Sequence, residues 1–160
     1  MKSVMMEKND IMIVGIEVRT SNQAEMNGAG RIGAHWQRFF QENVAGQIVN
    51  AVSDDVFAIY TDYESDVNGE YSFVLGKQVG SFADVPAGLV SKVLPASRYS
   101  VFTTPKGPMP NVVIEAWQHI WSLSATQLGG ERAYRADFEV YDHRSADPGN
   151  TQIEIFISVK

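Results

Sequence analysis

A glutamate two residues from a tyrosine, inside an otherwise apolar run, is the feature of this sequence best suited to chemistry. In Asp137-Phe138-Glu139-Val140-Tyr141-Asp142, strand alternation puts Phe138 and Val140 on one face and Asp137, Glu139 and Tyr141 on the other. A carboxylate in mid-strand is a poor strand residue unless something uses it. One use is as the anionic floor of an aromatic pocket. Burying a carboxylate is costly unless it is paired, so an organic cation over it recovers part of that cost. The plainer reading is an ordinary charge on a solvated face. Aromatic side chains supply the rest of such a pocket: Trp36, Trp117 and Trp121 fall on helical patterns, and Tyr60, Tyr63, Tyr71, Tyr99 and Tyr141 on strand-like ones. Rings stack on flat ligands and attract cations. Helical Trp serves cores as readily as pockets, whereas a buried phenol wants a polar partner.

Other arrangements carry less. Glu115 and His119 stand at i, i+4 on a helix, a spacing open to a metal, a base–carboxylate pair or a plain polar face; Glu115 can also border a groove. His35 and His143 complete no metal-ligand spacing with His119. Gly28-Ala29-Gly30-Arg31-Ile32-Gly33 spells G-x-G-x-x-G. The dinucleotide-binding form needs a strand running directly into the first glycine. Here a polar stretch intervenes, so these glycines are expected to shape a helix entry. There is no G-x-S-x-G and no phosphate loop, and no catalytic group or cofactor is assigned.

The elements that must position these residues are legible in the periodicity. Strands are expected at 11–18, 56–63, 71–79, 98–103, 134–142 and 153–159. Helices are expected at 31–44, with Ile32, Trp36, Phe39 and Phe40 on one stripe, and at 111–123, with Val112, Val113, Ala116, Trp117, Ile120 and Trp121 on another. Asn68-Gly69 marks a hairpin and Asp147-Pro148-Gly149-Asn150 a turn. The order repeats, and so do the letters. His35-Trp36-Gln37-Arg38-Phe39-Phe40 aligns with Ala116-Trp117-Gln118-His119-Ile120-Trp121, and Phe57-Ala58-Ile59-Tyr60 with Phe138-Glu139-Val140-Tyr141, at one common offset. The expected fold is therefore α+β: two β-α-β-β units, about 9–79 and 97–160 with a linker at 80–96, forming an antiparallel sheet with two helices and a central groove. Symmetric positions report folding; the clearest difference between the halves is Ala58 against Glu139.

Composition bounds the function. The 160 residues hold 13 Lys+Arg against 19 Asp+Glu, a formal charge of −6, and no cysteine. An acidic balance argues against direct nucleic-acid binding. Without cysteine there is no disulfide, thiol catalysis or thiolate metal site. No apolar run approaches a membrane span and no secretion signal is evident, so a cytoplasmic globular protein is expected.

Several segments together resemble a known family. Val93-Leu94-Pro95-Ala96-Ser97-Arg98-Tyr99-Ser100-Val101-Phe102 is similar to its I/L-P-A-G-x-Y-A-x-F pattern. Asp137-Phe138-Glu139-Val140-Tyr141, Asp147-Pro148 and Ile153-Glu154-Ile155-Phe156-Ile157-Ser158-Val159-Lys160 resemble its D-F-E-x-Y, D-P and E-I-x-I-P-V ending. Ser97 replaces a glycine and Ser158 a proline. The family is the GyrI-like small-molecule-binding one: effector-binding domains of AraC-type transcription regulators and stand-alone proteins, some carried on integron cassettes. The resemblance implies multidrug binding, in which bulky lipophilic cations meet a buried glutamate ringed by aromatics. It maps that glutamate to Glu139, with Tyr141, Trp117, Glu115, Tyr60, Trp36 and Tyr71 as the expected contacts. With the fold expected to begin near residue 9, there is no room here for an attached DNA-binding domain, so an isolated effector-binding module is expected, a sensor or a sequestering protein. A separate DNA-binding subunit or gyrase are the protein partners the resemblance offers. A glutamate-dependent hydrolase and a gyrase-inhibitor-like interaction protein are the alternatives.

Overall fold

The computed structural model describes residues 1–160. Eight strands form one antiparallel sheet: β1 (Ser3–Lys8), β2 (Ile11–Ser21), β3 (Val56–Thr61), β4 (Glu70–Gln78), β5 (Val90–Leu94), β6 (Ser97–Thr103), β7 (Ala136–Tyr141) and β8 (Glu154–Val159). Their spatial order is β1-β6-β8-β7-β3-β4-β2-β5. Five helices accompany them: α1 (Asn22–Met26), α2 (Ile32–Gln41), α3 (Val44–Gln47), α4 (Asn111–Ser122) and α5 (Ala125–Leu128).

The fold is α+β, as the periodicity predicts, and the element order β-α-β-β appears in each half. At the centre of the sheet β3 pairs with β7, and the register sets Ala58 directly across from Glu139. These two positions correspond at the sequence offset and are also ladder partners. The approximate twofold axis relating the halves therefore passes between them. At the ends of the sheet β1 pairs with β6 and β2 with β5, from Lys8↔Ser97 to Ile11↔Leu94 without a change of register. Because β1 runs into β2 and β5 into β6 within two residues each, two long strands cross as one ribbon and draw the sheet's ends together.

Two boundaries differ from the sequence expectation. The first strand lies before residue 9, and β5 occupies part of the stretch 80–96 read as a linker. Both are edge strands. Four of the six β1 residues are exposed, and in β5 the polar Ser91 and Lys92 and the apolar Val93 and Leu94 stand side by side, so neither shows the apolar periodicity that marks a half-buried strand. The first helix is also shorter than 31–44: Asn43 adopts a left-handed φ of 46°, which ends the turn before α3 begins.

Strand alternation divides the apolar residues cleanly. Phe57, Ile59, Phe138 and Val140 enter a core enclosed by the curled sheet. There Phe138 stacks on Phe156 with centroids 4.6 Å apart. On the other face Ala58, Tyr71 and Phe73 of the sheet pack against Phe39 of α2, and Phe102 and Ile155 against Ala116 and Ile120 of α4. The two helices thus cover separate cores on the same face, and the space between them lies over β3 and β7.

The glycine-rich segment acts as a helix entry. Glu25 of α1 accepts the backbone N–H of Arg31 at 2.7 Å and of Ile32 at 3.3 Å, so a carboxylate of the chain itself occupies the positive end of α2. Gly30 permits this approach, since a Cβ there would stand 2.4 Å from the Glu25 carboxylate oxygen.

Candidate functional site

Glu139 is 2% exposed and both of its oxygens are engaged. Oε2 accepts the Tyr60 hydroxyl at 2.7 Å and the Trp117 indole N–H at 2.7 Å; Oε1 accepts the Tyr141 hydroxyl at 2.6 Å. These donors come from β3, α4 and β7, so strand pairing and helix docking together build the cage. No Lys, Arg or His forms an ion pair with this carboxylate. Burial pushes its pKa above the usual carboxylate range, and the three hydrogen bonds oppose that shift more weakly. Burial and the neighbouring carboxylate raise the phenols of Tyr60 and Tyr141 well above their ordinary value, which keeps both protonated as donors.

An open cavity of about 1270 Å³ lies over this cage, between α2 and α4. Trp36 stands edge-on to Tyr141 at 5.1 Å between centroids; Tyr60 meets Trp117 at 5.3 Å and Tyr71 at 5.5 Å, also edge-on. Towards the mouth, Phe40 stacks on Trp36 and Trp121 lies tilted over Trp117. Both outer rings are largely exposed. They sit one helical turn beyond their partners at corresponding places in the two halves, so the cavity has an aromatic wall on each side. The acidic side chains Glu25, Asp54, Asp55 and Asp142 also border it, against one arginine, Arg132. The field inside therefore favours a positive guest.

Of the residues singled out from sequence, Glu139, Tyr141, Trp117, Tyr60, Trp36 and Tyr71 all border the cavity. Glu115 does not. It is exposed, two residues from Trp117 and so on the far side of α4 from the wall that Val113, Ile114, Trp117 and Trp121 present. Its partner in the proposed i, i+4 pair, His119, packs edge-on to Phe102 instead. No group of three or more His, Asp or Glu side chains is placed to hold a metal.

Tyr63, Arg132 and Tyr134 also border the cavity. Tyr63 is one of the strand tyrosines the sequence offers for the pocket. Arg132 and Tyr134 lie in the irregular segment between α5 and β7; the strand expected from residue 134 begins at Ala136, since Tyr134 adopts a left-handed φ of 51°. Asp137, on the same face of β7 as Glu139, is wholly buried and fully occupied: Arg132 Nη2 at 2.7 Å, the Tyr63 hydroxyl at 2.5 Å, and Ser158 through its backbone N–H at 2.8 Å and hydroxyl at 3.1 Å. Two carboxylates on one strand face thus differ sharply. Asp137 has a cationic partner and Glu139 has none.

Comparison with known proteins agrees with this architecture. The family described as integron-associated effector binding protein, Cass2, matches residues 5–159. YobU of Bacillus subtilis strain 168, a candidate transcriptional regulator protein, is 34% identical over 148 residues, spanning 91% of this chain and 90% of that one. Among solved structures, the Vibrio cholerae integron cassette protein VCH_CASS2 superposes with a TM-score of 0.78 at 28% identity, covering 99% of this chain and 96% of its own. SAV2435, solved with tetraphenylphosphonium bound, superposes at 0.80 with 24% identity, covering 100% and 94%. The chain belongs to the Cass2 family of integron-associated effector binding proteins, and its fold is GyrI-like. No helix is long and apolar enough to cross a membrane.

Proposed function

We propose that this protein captures bulky lipophilic organic cations in the cavity between α2 and α4, with Glu139 as the counter-charge and the aromatic walls as the apolar contact, and that it acts by binding without turnover. The observation that carries this reading is the unpaired state of Glu139: a buried carboxylate held by three hydrogen-bond donors and by no cation. Removing a charge from water costs several kcal/mol even after relaxation, and hydrogen bonds offset only part of it. A cationic guest supplies the missing partner, and rings of Trp and Tyr around it add cation–π attraction. SAV2435, of the same fold, was solved with such a cation, and this supports the reading by analogy. Hydrolysis is less well supported, because three side-chain donors already occupy most of the acceptor positions of the Glu139 carboxylate and reduce its basicity towards a water. In the cell such a module serves as a sensor, passing occupancy to a partner, or as a sequestering protein.

Titration of the protein with tetraphenylphosphonium, followed by quenching of tryptophan emission and by calorimetry, tests the reading. Saturable one-to-one binding at micromolar or lower Kd is expected, with a neutral triaryl compound of similar size binding far more weakly. Equal affinities for the two would remove charge recognition from the account.

A further inference from the structure

Cation capture at Glu139 leaves one built feature of the cavity wall unused. Arg132 is confined on several sides. Its Nη2 donates to Asp137, and its guanidinium carbon lies 4.5 Å from the centroid of the Tyr134 ring. Tyr134 adopts a φ of 51°, a left-handed conformation uncommon for a bulky residue, and packs edge-on to Tyr63 at 5.5 Å. The main chain around it is tied to β8 and the C-terminal residue, with Ala133 N–H on the Ser158 carbonyl at 2.9 Å and Lys160 N–H on the Glu131 carbonyl at 2.8 Å. Yet only one of the guanidinium nitrogens has a hydrogen-bond partner. Nε is buried without one, and Nη1 donates to nothing in the protein. A half-used guanidinium fixed at a cavity wall lacks an acceptor.

The charges say which kind of acceptor. Asp137 and Arg132 neutralise each other, and Glu139 contributes one uncompensated negative charge, which a single cation balances. A second, anionic group on the ligand would face the Asp137 and Glu139 carboxylates as well as Arg132. An uncharged acceptor meets the free N–H groups without that repulsion. Glu139 and Asp137 alternate on one face of β7, so their side chains leave the strand about 7 Å apart, and the guanidinium rests on Asp137. Resting on the proposal that Glu139 holds the cation, we infer that the preferred ligands are monocations carrying an uncharged hydrogen-bond acceptor, a carbonyl foremost, roughly 7 Å from the cationic centre, received by the unused Nη1 N–H groups of Arg132.

Three phosphonium salts separate the possibilities: (5-oxohexyl)triphenylphosphonium, its hexyl twin, and the 4-carboxybutyl analogue, whose carboxylate carbon stands where the ketone carbon does. A ketone entering an apolar wall without a donor loses affinity, whereas a hydrogen bond from a charged donor gains about tenfold. By calorimetry the wild type is expected to bind the oxohexyl salt about tenfold tighter than the hexyl salt, with no gain for the carboxylate. In the double variant Arg132→Met/Asp137→Asn, which removes the pair together and leaves the net charge of the site unchanged, the ketone preference is lost while the hexyl Kd stays within about threefold, well inside that tenfold effect. Arg132→Met alone strands the Asp137 charge and is expected to tighten the hexyl and oxohexyl salts alike, again without a ketone preference. A wild type that binds the hexyl salt as tightly as the ketone overturns this inference and leaves the cation site standing. So does a ketone preference that survives the double variant, and a carboxylate gain equal to the ketone's overturns the choice of an uncharged group. If neither the hexyl nor the oxohexyl salt binds the wild type, the cation reading of Glu139 falls and this inference falls with it.

Discussion

Replacing Glu139 by glutamine removes a charge and little else. The amide oxygen can take the Tyr60 and Trp117 donors now shared by Oε2, and the amide nitrogen can donate to the Tyr141 hydroxyl, which is able to accept as well as donate. The cage therefore persists while the counter-charge is gone. A shielded phosphonium centre about 5 Å from the carboxylate, at an effective dielectric near 20, interacts by about 3 kcal/mol. That is roughly a hundredfold in Kd. Calorimetric titration of wild type and Glu139→Gln with tetraphenylphosphonium, and with neutral triphenylmethanol, measures it directly. The cation is expected to lose about a hundredfold, and the neutral compound to change little. Urea unfolding should place Glu139→Gln within about 0.5 kcal/mol of wild type or above it, since the amide keeps the hydrogen bonds and spares the desolvation of a charge. Glu139→Ala should instead lose about 2 kcal/mol, because three buried donors are left facing a gap. Binding of the phosphonium by a natively stable Glu139→Gln at wild-type affinity would refute the reasoning, because the carboxylate would then not be the counter-charge.

Burial raises the Glu139 pKa, so cation affinity should climb with pH as the group ionises and level off above its folded value, while Glu139→Gln stays flat. The stability of the empty protein runs the other way: the contribution of this group is full below the unfolded carboxylate pKa of about 4.3 and is lost as pH rises through the folded value, so saturating phosphonium should raise Tm more at pH 8 than at pH 5. Tyr60→Phe or Trp117→Phe removes a hydrogen bond that lowers the Glu139 pKa, and the midpoint of the affinity–pH curve should move to higher pH in each. Asp137→Ala strands Arg132 and should cost about 3–5 kcal/mol in denaturant unfolding. Gly15→Ala should cost at least about 2 kcal/mol, since its Cβ would meet the Leu75 carbonyl oxygen of the paired strand β4 at only 2.1 Å.

The inner six strands and the two long helices were legible because each buries one face, and a half-buried element writes its period into the sequence. The edge strands β1 and β5 were not, since they are held by backbone pairing and their apolar residues do not alternate with polar ones. Glu139 was legible as the residue that breaks the repeat, and Phe138 and Val140 showed which way it points. Its donors were named one by one, yet their convergence on a single carboxylate depends on the β3–β7 register and the docking of α4, which no local pattern records. Alanine fills the corresponding position 58, but the three donors aimed at Glu139 make position 139 unlike it. Glu115 was misplaced because charge at helical spacing does not tell which side of α4 faces the cavity. Arg132 was missed altogether, being fixed by a turn and by contacts with residues far along the chain.

The pairing of Ala58 with Glu139 across the central strands has a consequence for charge stoichiometry. Two identical chains meeting at such an axis present the same residue twice, with side chains about 5 Å apart. A glutamate there would bring two carboxylates into one cage, and like charges that close cannot both ionise without strong mutual opposition. Identical chains can therefore supply carboxyl groups to such a site only in pairs, and reach a single negative charge only by holding one of the two protonated. Joining both halves in a single polypeptide lifts that parity rule, because positions 58 and 139 are free to differ. A cage with one carboxylate and no second carboxyl group beside it, matched to a singly charged guest, is available to one chain with two unlike halves and closed to a pair of equals.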